Sequence, residues 1–436
     1  MTSQHSALPT IVIVGGGAGG LELATRLGRT LGKRQAARIM LIDSAPAHIW
    51  KPLLHEVVSG ALNTGMDEVN YFAHGYRNGY VFEYGRMQAL DQQRRCVQLA
   101  AVLDEAGKLL SAEREVHYDY LVLAVGAETN DFGTPGVAQY AMQLNNAADA
   151  KQLRQRVLEL AFRCANAADT DSTLQIAIIG GGATGVELAA ELHRALFELH
   201  LYGANLQPER VKIYVIEGAE RLLQAGTPAL SAYAEQQLSA SHITVMTSSR
   251  VAQVQSDRVV LQGGKEIAAD LIVWAAGVKA PDWLAGLDGL RTTRSKQLTV
   301  DEYLRCQGSQ HIYAIGDCAA APDSHGSHPL PATAQVAHQQ ARWLAQALKL
   351  QLEGRSGPAF VFHPKGMLVS LGQQGAVGNL LAGPKRQYLV EGRGARLIYN
   401  GLYRQHQAVL YGWRLAGLLY LGDKLRQSAQ PALKLH

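Results

Sequence analysis

The chain has 436 residues, room for two or three domains of roughly 150 residues each, so it can bury full-sized cores and is no disulfide-stapled mini-protein. Hydrophobic and charged fractions of 47% and 18% are globular, and 44 glycines, well above the usual ~7%, ask for chemistry done by the backbone. A net charge of +4 is too small to suggest nucleic acid as a partner, and Cys96, Cys164, Cys306 and Cys318 show no CxxC spacing, which argues against a disulfide framework, a zinc ribbon or a thioredoxin-type pair and for a reducing compartment.

The opening residues, MTSQHSALPT, carry no basic start and no apolar core, so no signal peptide is expected and the cytoplasm is the expected compartment. A β-branched run, IVIV, follows, then GGGAGGLELA from Gly15 and a Leu/Ala-rich helical stretch. Strand, turn and helix in that order are the context a dinucleotide fingerprint requires. ARIMLID ends a second strand at Asp43, 23 residues after Gly20, where a carboxylate would bind a ribose. YDYLVLAVG ends a further strand at Gly126.

The same set then returns. IAII leads into GGGATGVELA from Gly180, which matches the first motif at eight of ten positions, 165 residues on. VKIYVIE ends at Glu217 and ADLIVWAAG at Gly277. Glu217 falls 32 residues after Gly185, beyond the usual ~20, which predicts an extended helix and loop around 198–210.

This duplication predicts an α/β protein with two Rossmann-like dinucleotide-binding domains. In each copy Gly15 or Gly180 permits a tight turn, Gly17 or Gly182 lets the backbone approach a pyrophosphate, and Gly20 or Gly185 lets helix pack on strand. A lone GxGxxG can be a glycine-rich turn with no ligand, but two copies with ribose acids at Asp43 and Glu217 disfavour that reading. Gly126 and Gly277, repeated alike, count among the expected cofactor contacts. Two such sites suggest a flavin that stays bound and a nicotinamide that comes and goes, with hydride transfer as the chemistry. Glu217 would accept from a ribose 2′-OH and repel a 2′-phosphate, which predicts NADH over NADPH, with Arg221 as the reservation.

At this point the chain resembles the two-dinucleotide flavoproteins, in which an FAD domain carries an inserted NAD(P)H domain. IYAIGDCAA around Gly316 and Asp317 is similar to their second FAD motif, whose aspartate meets the flavin's ribityl and phosphate region. The expected layout is 1–145 and 286–350 for the FAD domain, 146–285 for the NADH domain and 351–436 for a C-terminal region that associates with the membrane. Disulfide reductases of this group carry a cysteine pair soon after the first fingerprint, whereas here HIWKPLLHEVVSGAL stands at His48–Leu62. With AQVAHQQ at Ala334–Gln340 and the tail LYRQHQAVLYGWRLAGLLYLG, this segment resembles the type II NADH:quinone oxidoreductases. That family is peripheral on the cytoplasmic face of bacterial inner membranes, carries FAD, oxidises NADH and reduces quinone without pumping protons; no obvious attachment residue flanks either fingerprint here, so the FAD is expected to be non-covalent.

The resemblance implies roles. Pro331 precedes a helical run whose first-turn amides, at Ala334 and Gln335, would face the flavin pyrimidine. Gln335 and Gln339, four apart, share a helix face and would contact the quinone headgroup, although Gln339 also fits a plain solvated face. Glu187, two residues past Gly185, is expected in the first turn of its helix, where capping and a role facing nicotinamide and flavin, with protons for quinone, are both open. Glu22 holds the matching place. Lys365 in FHPKGMLVSLG would stabilise a quinol anion or else be merely solvated. Lys51 and Pro52 would border the flavin, His48 and His55 read as structural, and Cys318 as a small buried residue. No metal site is assigned.

The tail is basic. From Pro384 onward nine Lys or Arg (Lys385, Arg386, Arg393, Arg396, Arg404, Arg414, Lys424, Arg426 and Lys434) face only Glu391 and Asp423. No stretch reaches the roughly 18–20 uncharged apolar residues of a spanning helix, so contact with an anionic membrane would be made from the surface, by a segment at about 403–426. As one straight helix that segment has no clean polar stripe, and Gly412, Gly417 and Gly422 are possible breaks; a buried helix or subunit interface is the alternative. A homodimer is left open. Two rivals stand beside the main reading: a sulfide:quinone oxidoreductase, for which the cysteines are poorly placed, and a flavin-binding NADH sensor without fast quinone turnover.

Overall fold

The computed structural model describes residues 8–62, 64–169, 171–323, 329–381 and 387–429. Its chain gathers into two compact units. The first joins Met1–Trp50, Glu68–Glu128 and Val278–His363; the second joins Lys51–Asp67, Thr129–Gly277 and Pro364–His436.

The first unit is built on a five-stranded parallel sheet in the order Ile312–Ala314, Tyr120–Leu123, Thr10–Val14, Arg38–Asp43, Val81–Tyr84. Ile11, Val12 and Ile13 are fully buried, because a central parallel strand is covered on both faces and therefore reads as an unbroken apolar run. The chain leaves Thr10–Val14 towards one edge and later returns on its other side as Tyr120–Leu123. That reversal puts a switch point, where such sheets bind ligands, beyond Val14. Helix Ala18–Leu27 packs beside helix Ala334–Leu352 in the same unit.

The second unit repeats the plan with four parallel strands, Thr244–Met246, Val211–Ile216, Leu174–Ile179 and Leu271–Trp274. A small antiparallel sheet, Val251–Val254, Arg258–Leu261 and Glu266–Ala268, supplies Val254, Val259 and Leu261 to the core under Ile179, Ile216 and Trp274. Even the strand starts match. Asp119 takes the Thr10 amide at 2.7 Å and Asp270 takes the Gln175 amide at 2.8 Å, so these duplicated acids anchor the first strand of each sheet. The longer spacing before Glu217 is a longer helix, Ala183–Leu201, followed by a loop.

Lys51–Asp67 and Pro364–His436 cluster with the second unit, although the sequence layout gave the former to the FAD domain and the latter a region of its own. The reason is packing: helix Leu54–Ser59 lies on helices Ala147–Ala165 and Ala183–Leu201, and strand Gly366–Ser370 also meets the latter.

The tail is two helices, Gly392–Tyr411 and Trp413–Ala429, separated at Gly412, whose φ of +85° no ordinary side chain favours. Gly417 and Gly422 fall inside the second helix and break nothing. Lys385, Arg386 and Lys434, and the side chain of Arg426, lie outside the described residues. Among the described residues no helix is long and apolar enough to cross a membrane.

Candidate active site

The two phosphate loops are near copies in atomic detail. Gly15 and Gly180 have φ of +103° and +116°, and a Cβ on Gly20 or Gly185 would strike the carbonyl oxygen of Gly15 or Gly180. A Cβ at Gly17 or Gly182 would meet nothing within 4 Å, which is the space a pyrophosphate needs beside an exposed backbone. These two glycines are also the N-caps of their helices, with no side chain on the first-turn amides, as an anion site requires. Asp43 accepts from the Gly16 amide at 2.5 Å and from Ala45 at 2.8 Å; Glu217 accepts from Gly181 at 2.6 Å and from Ala219 at 2.8 Å. Each ribose acid is thus tied to the loop that would hold the phosphates. Both loops fit an adenine dinucleotide.

Within the first unit, Gly126 has φ +71° with open space around it, and Gly316–Cys318 forms a 3₁₀ turn. The Gly316 amide donates to Gln340 Oε1 at 2.7 Å, and the Asp317 carbonyl accepts from Gln297 at 3.0 Å. Helix Ala334–Leu352 starts at Ala334 with Thr333 as its cap. Gln335 and Gln339 are both half-buried, but they differ in partners. Gln339 binds the His363 backbone twice, accepting at 3.0 Å and donating at 2.8 Å, so its amide holds that segment in place.

Glu187 is the fifth residue of its helix and Glu22 the fifth of its own, and neither first turn contains an acid. The expected first-turn placement therefore fails, because both helices begin three residues earlier than the final fingerprint glycine suggests. Their environments also diverge. Glu22 pairs with Arg26 at 2.7 Å and His338 at 2.5 Å. In the second unit Glu187 accepts from the Ser370 amide at 3.0 Å, and His55 Nδ1 lies 3.5 Å away. The Tyr399 hydroxyl faces the same carboxyl without strict hydrogen-bonding geometry. Burial, with Glu56 and Glu191 nearby, pushes Glu187 up to about 8 despite the Ser370 amide. Burial likewise pushes Glu56 up to about 7 and His55 down to about 4. A neutral carboxyl, a neutral imidazole and a phenol therefore meet at neutral pH. Tyr399 carries no motif and could not have been found by spacing.

Lys51 and Pro52 form the 3₁₀ turn that leads into helix Leu54–Ser59, which carries His55 to Glu187. Lys365 is exposed just before strand Gly366–Ser370. Gly277 has φ +66°, and a Cβ there would strike the Phe132 ring. Arg221 donates to Ser231 Oγ at 2.7 Å and to the Gln224 carbonyl at 2.8 Å. All four cysteines are buried and free. Burial pushes Cys318 up to about 12, so it is no thiolate nucleophile. Among the described residues no group of three or more His, Cys, Asp or Glu could hold a metal ion.

The tail helices are joined by Arg404, which pairs with Asp423 at 2.8 Å and lies over the rings of Tyr403 and Tyr420 at 5.4 and 5.2 Å. Lys424 lies over Tyr420 as well, at 5.9 Å. The break at Gly412 thus brings together two cations that one straight helix would hold apart. Trp413, Leu418, Leu421 and Leu425 are 58–75% exposed, and the three leucines, spaced three and four apart, share a face.

Fold and loops together define an oxidoreductase with two dinucleotide sites on one chain. Residues 9–341 match the family model of pyridine nucleotide-disulphide oxidoreductases. The type II NADH:quinone oxidoreductase of Haemophilus influenzae is 38% identical across 98% of this chain and 100% of its own. Demethylphylloquinone reductase NdbB of Synechocystis is 30% identical, across 92% and 94%. Among solved structures, NDH2 of Plasmodium falciparum in complex with NADH has the same fold, with a TM-score of 0.82 at 21% identity, covering 98% of this chain and 100% of that one. The chain belongs to the pyridine nucleotide-disulphide oxidoreductases and, within them, to the type II NADH:quinone oxidoreductases.

Proposed function

We propose that this protein oxidises NADH and reduces a membrane quinone, with FAD held non-covalently by residues 1–145 and 286–350 and NADH taken by residues 146–285. The observation that carries this reading is the pair of matching phosphate loops, each with its own acid, at Gly15–Gly20 and Gly180–Gly185. FAD held there would supply the hydride acceptor for NADH and the two-electron donor for quinone. The protein's part is alignment and charge. Asp43 and Glu217 grip the two riboses. The first-turn amides at Ala334 and Gln335 offer a helix N-terminus to negative charge, and Gln335 meets the quinone headgroup while Gln339 holds the neighbouring backbone. Glu187 keeps a proton at its carboxyl for the quinone, and Lys365 steadies the developing quinol anion. Lys51 and Pro52 border the flavin. The exposed tail leucines, with Trp413 and the basic residues, hold the protein peripherally on an anionic bilayer at its cytoplasmic face.

The test is an NADH oxidation assay with a soluble quinone, run beside NADPH and sulfide. Rapid quinone-dependent NADH oxidation supports the reading. Turnover with sulfide would favour the sulfide:quinone oxidoreductase, and a flavin that stays reduced without turnover would favour a sensor.

A further inference from the structure

The two fingerprints are nearly the same sequence, yet one should keep its cofactor and the other should release it. Their difference lies in what holds the second glycine. In the first loop, the Gly16 carbonyl accepts from the Tyr71 hydroxyl at 2.7 Å and from the His48 ring. Tyr71 is 2% and His48 5% exposed, and they come from different elements, helix Tyr71–Asn78 and the strand Ala47–His48. Burial keeps the phenol protonated and pushes the imidazole down to about 4, so both remain neutral donors throughout the physiological range.

In the second loop the corresponding carbonyl, of Gly181, accepts instead from the Leu223 amide at 2.8 Å. Leu223 has φ +49°, a left-handed conformation that a branched side chain adopts at a cost. The turn that carries it is braced by Arg221 on its own carbonyls.

A trans peptide links these carbonyls to the amides that matter. When the Gly16 C=O is held inward, the Gly17 N–H must point the opposite way, and a Cβ on Gly17 would meet nothing within 4 Å. We propose that His48 and Tyr71 are positioning residues that lock the Gly16–Gly17 peptide towards the FAD pyrophosphate and make that cofactor permanent, whereas in the NADH loop the same task falls to a backbone amide in a strained turn. The idea rests on the assignment of FAD to the first copy. A loop ordered in advance loses less entropy when the ligand binds, and this lowers the release rate.

The experiment uses the full-length holoprotein with Tyr71→Phe, His48→Ala and the double variant. FAD release is followed by flavin fluorescence after dilution, and NADH affinity by titration of the FAD-saturated protein. Each single variant keeps one donor on Gly16 and should release FAD about two- to fivefold faster; the double should exceed the product of the singles, by about tenfold or more over wild type. NADH affinity should stay within about twofold of wild type in all three. Circular dichroism and melting of the FAD-saturated variants separate a clamp from a fold defect, since Tyr71→Phe keeps the ring. Wild-type FAD release in the double variant overturns the proposal. Weakened NADH binding with normal FAD retention would show instead that the first copy is the nicotinamide site, and equal loss of both would show a general packing role.

Discussion

Burial raises the Glu187 carboxyl from its ordinary 4.5 to about 8, and the sign of the consequence follows. The folded protein holds this proton where the unfolded chain has lost it, so the contribution to stability is complete below about 4.5 and is lost as pH rises through about 8. Glu187→Gln should therefore flatten the fall of melting temperature between those values, by an amount on the order of a few kcal/mol at the upper end. In stopped flow, oxidation of the reduced flavin by quinone should decline above about pH 8 in wild type and be slow but pH-independent in the variant. An unchanged profile would remove Glu187 from proton supply. At Glu217 the expected outcome concerns specificity. Glu217→Ala removes the charge that repels a 2′-phosphate, and the stem of Arg250 passes beside Gly218, so the NADPH:NADH ratio of kcat/KM should rise at least about tenfold. Comparable use of both nucleotides by wild type would show that Glu217 does not discriminate.

Helix Ala334–Leu352 shows how much one element can combine. Its buried face carries Gln340 to the Gly316 amide, its flank carries His338 to Glu22, and Gln339 grips His363. Gln335 is proposed to meet the quinone headgroup, and Gln339 holds the His363 segment beside it. Gln335→Ala should slow flavin oxidation by quinone several-fold and leave flavin reduction by NADH nearly intact. Gln339→Ala should do less, through a loosened His363 segment. Measurement of both half-reactions decides, and slowed reduction with normal oxidation would put Gln335 on the nicotinamide side. In the tail, three glycines offered possible breaks, and the structure uses one of them, Gly412, which sets which side chains of the two helices meet.

For the whole molecule, the tail helices set where a truncation can be made. Removal of everything from Tyr403 would cut helix Gly392–Tyr411 near Tyr399 and take away the buried His406, Gln407 and Leu410, uncovering what they pack against. Removal of Trp413–His436 ends the chain after the natural break. That truncation should reduce sedimentation with anionic liposomes and weaken reduction of long-chain quinones in membranes, while FAD content and reduction by NADH persist. The residual binding of the full chain should fall as salt rises, because part of the attraction is a screened surface charge. Equal binding of full-length and truncated protein would refute the anchor.

The sequence by itself determined the duplicated α/β plan, both phosphate loops and their acids, because these depend on local features: a β-branched run, glycines at fixed offsets, and a carboxylate at a strand end. It also determined the family, through motifs spread along the chain. Only the tertiary structure decided which groups surround Glu187, since Ser370, His55 and Tyr399 reach it from three distant segments. The same holds for Tyr71 and His48 on Gly16, for Gln339 on His363, and for the displacement of Lys51–Asp67 into the second unit. In each case the deciding quantity is burial, which sets proton affinities and hydrogen-bond partners and which no local spacing encodes.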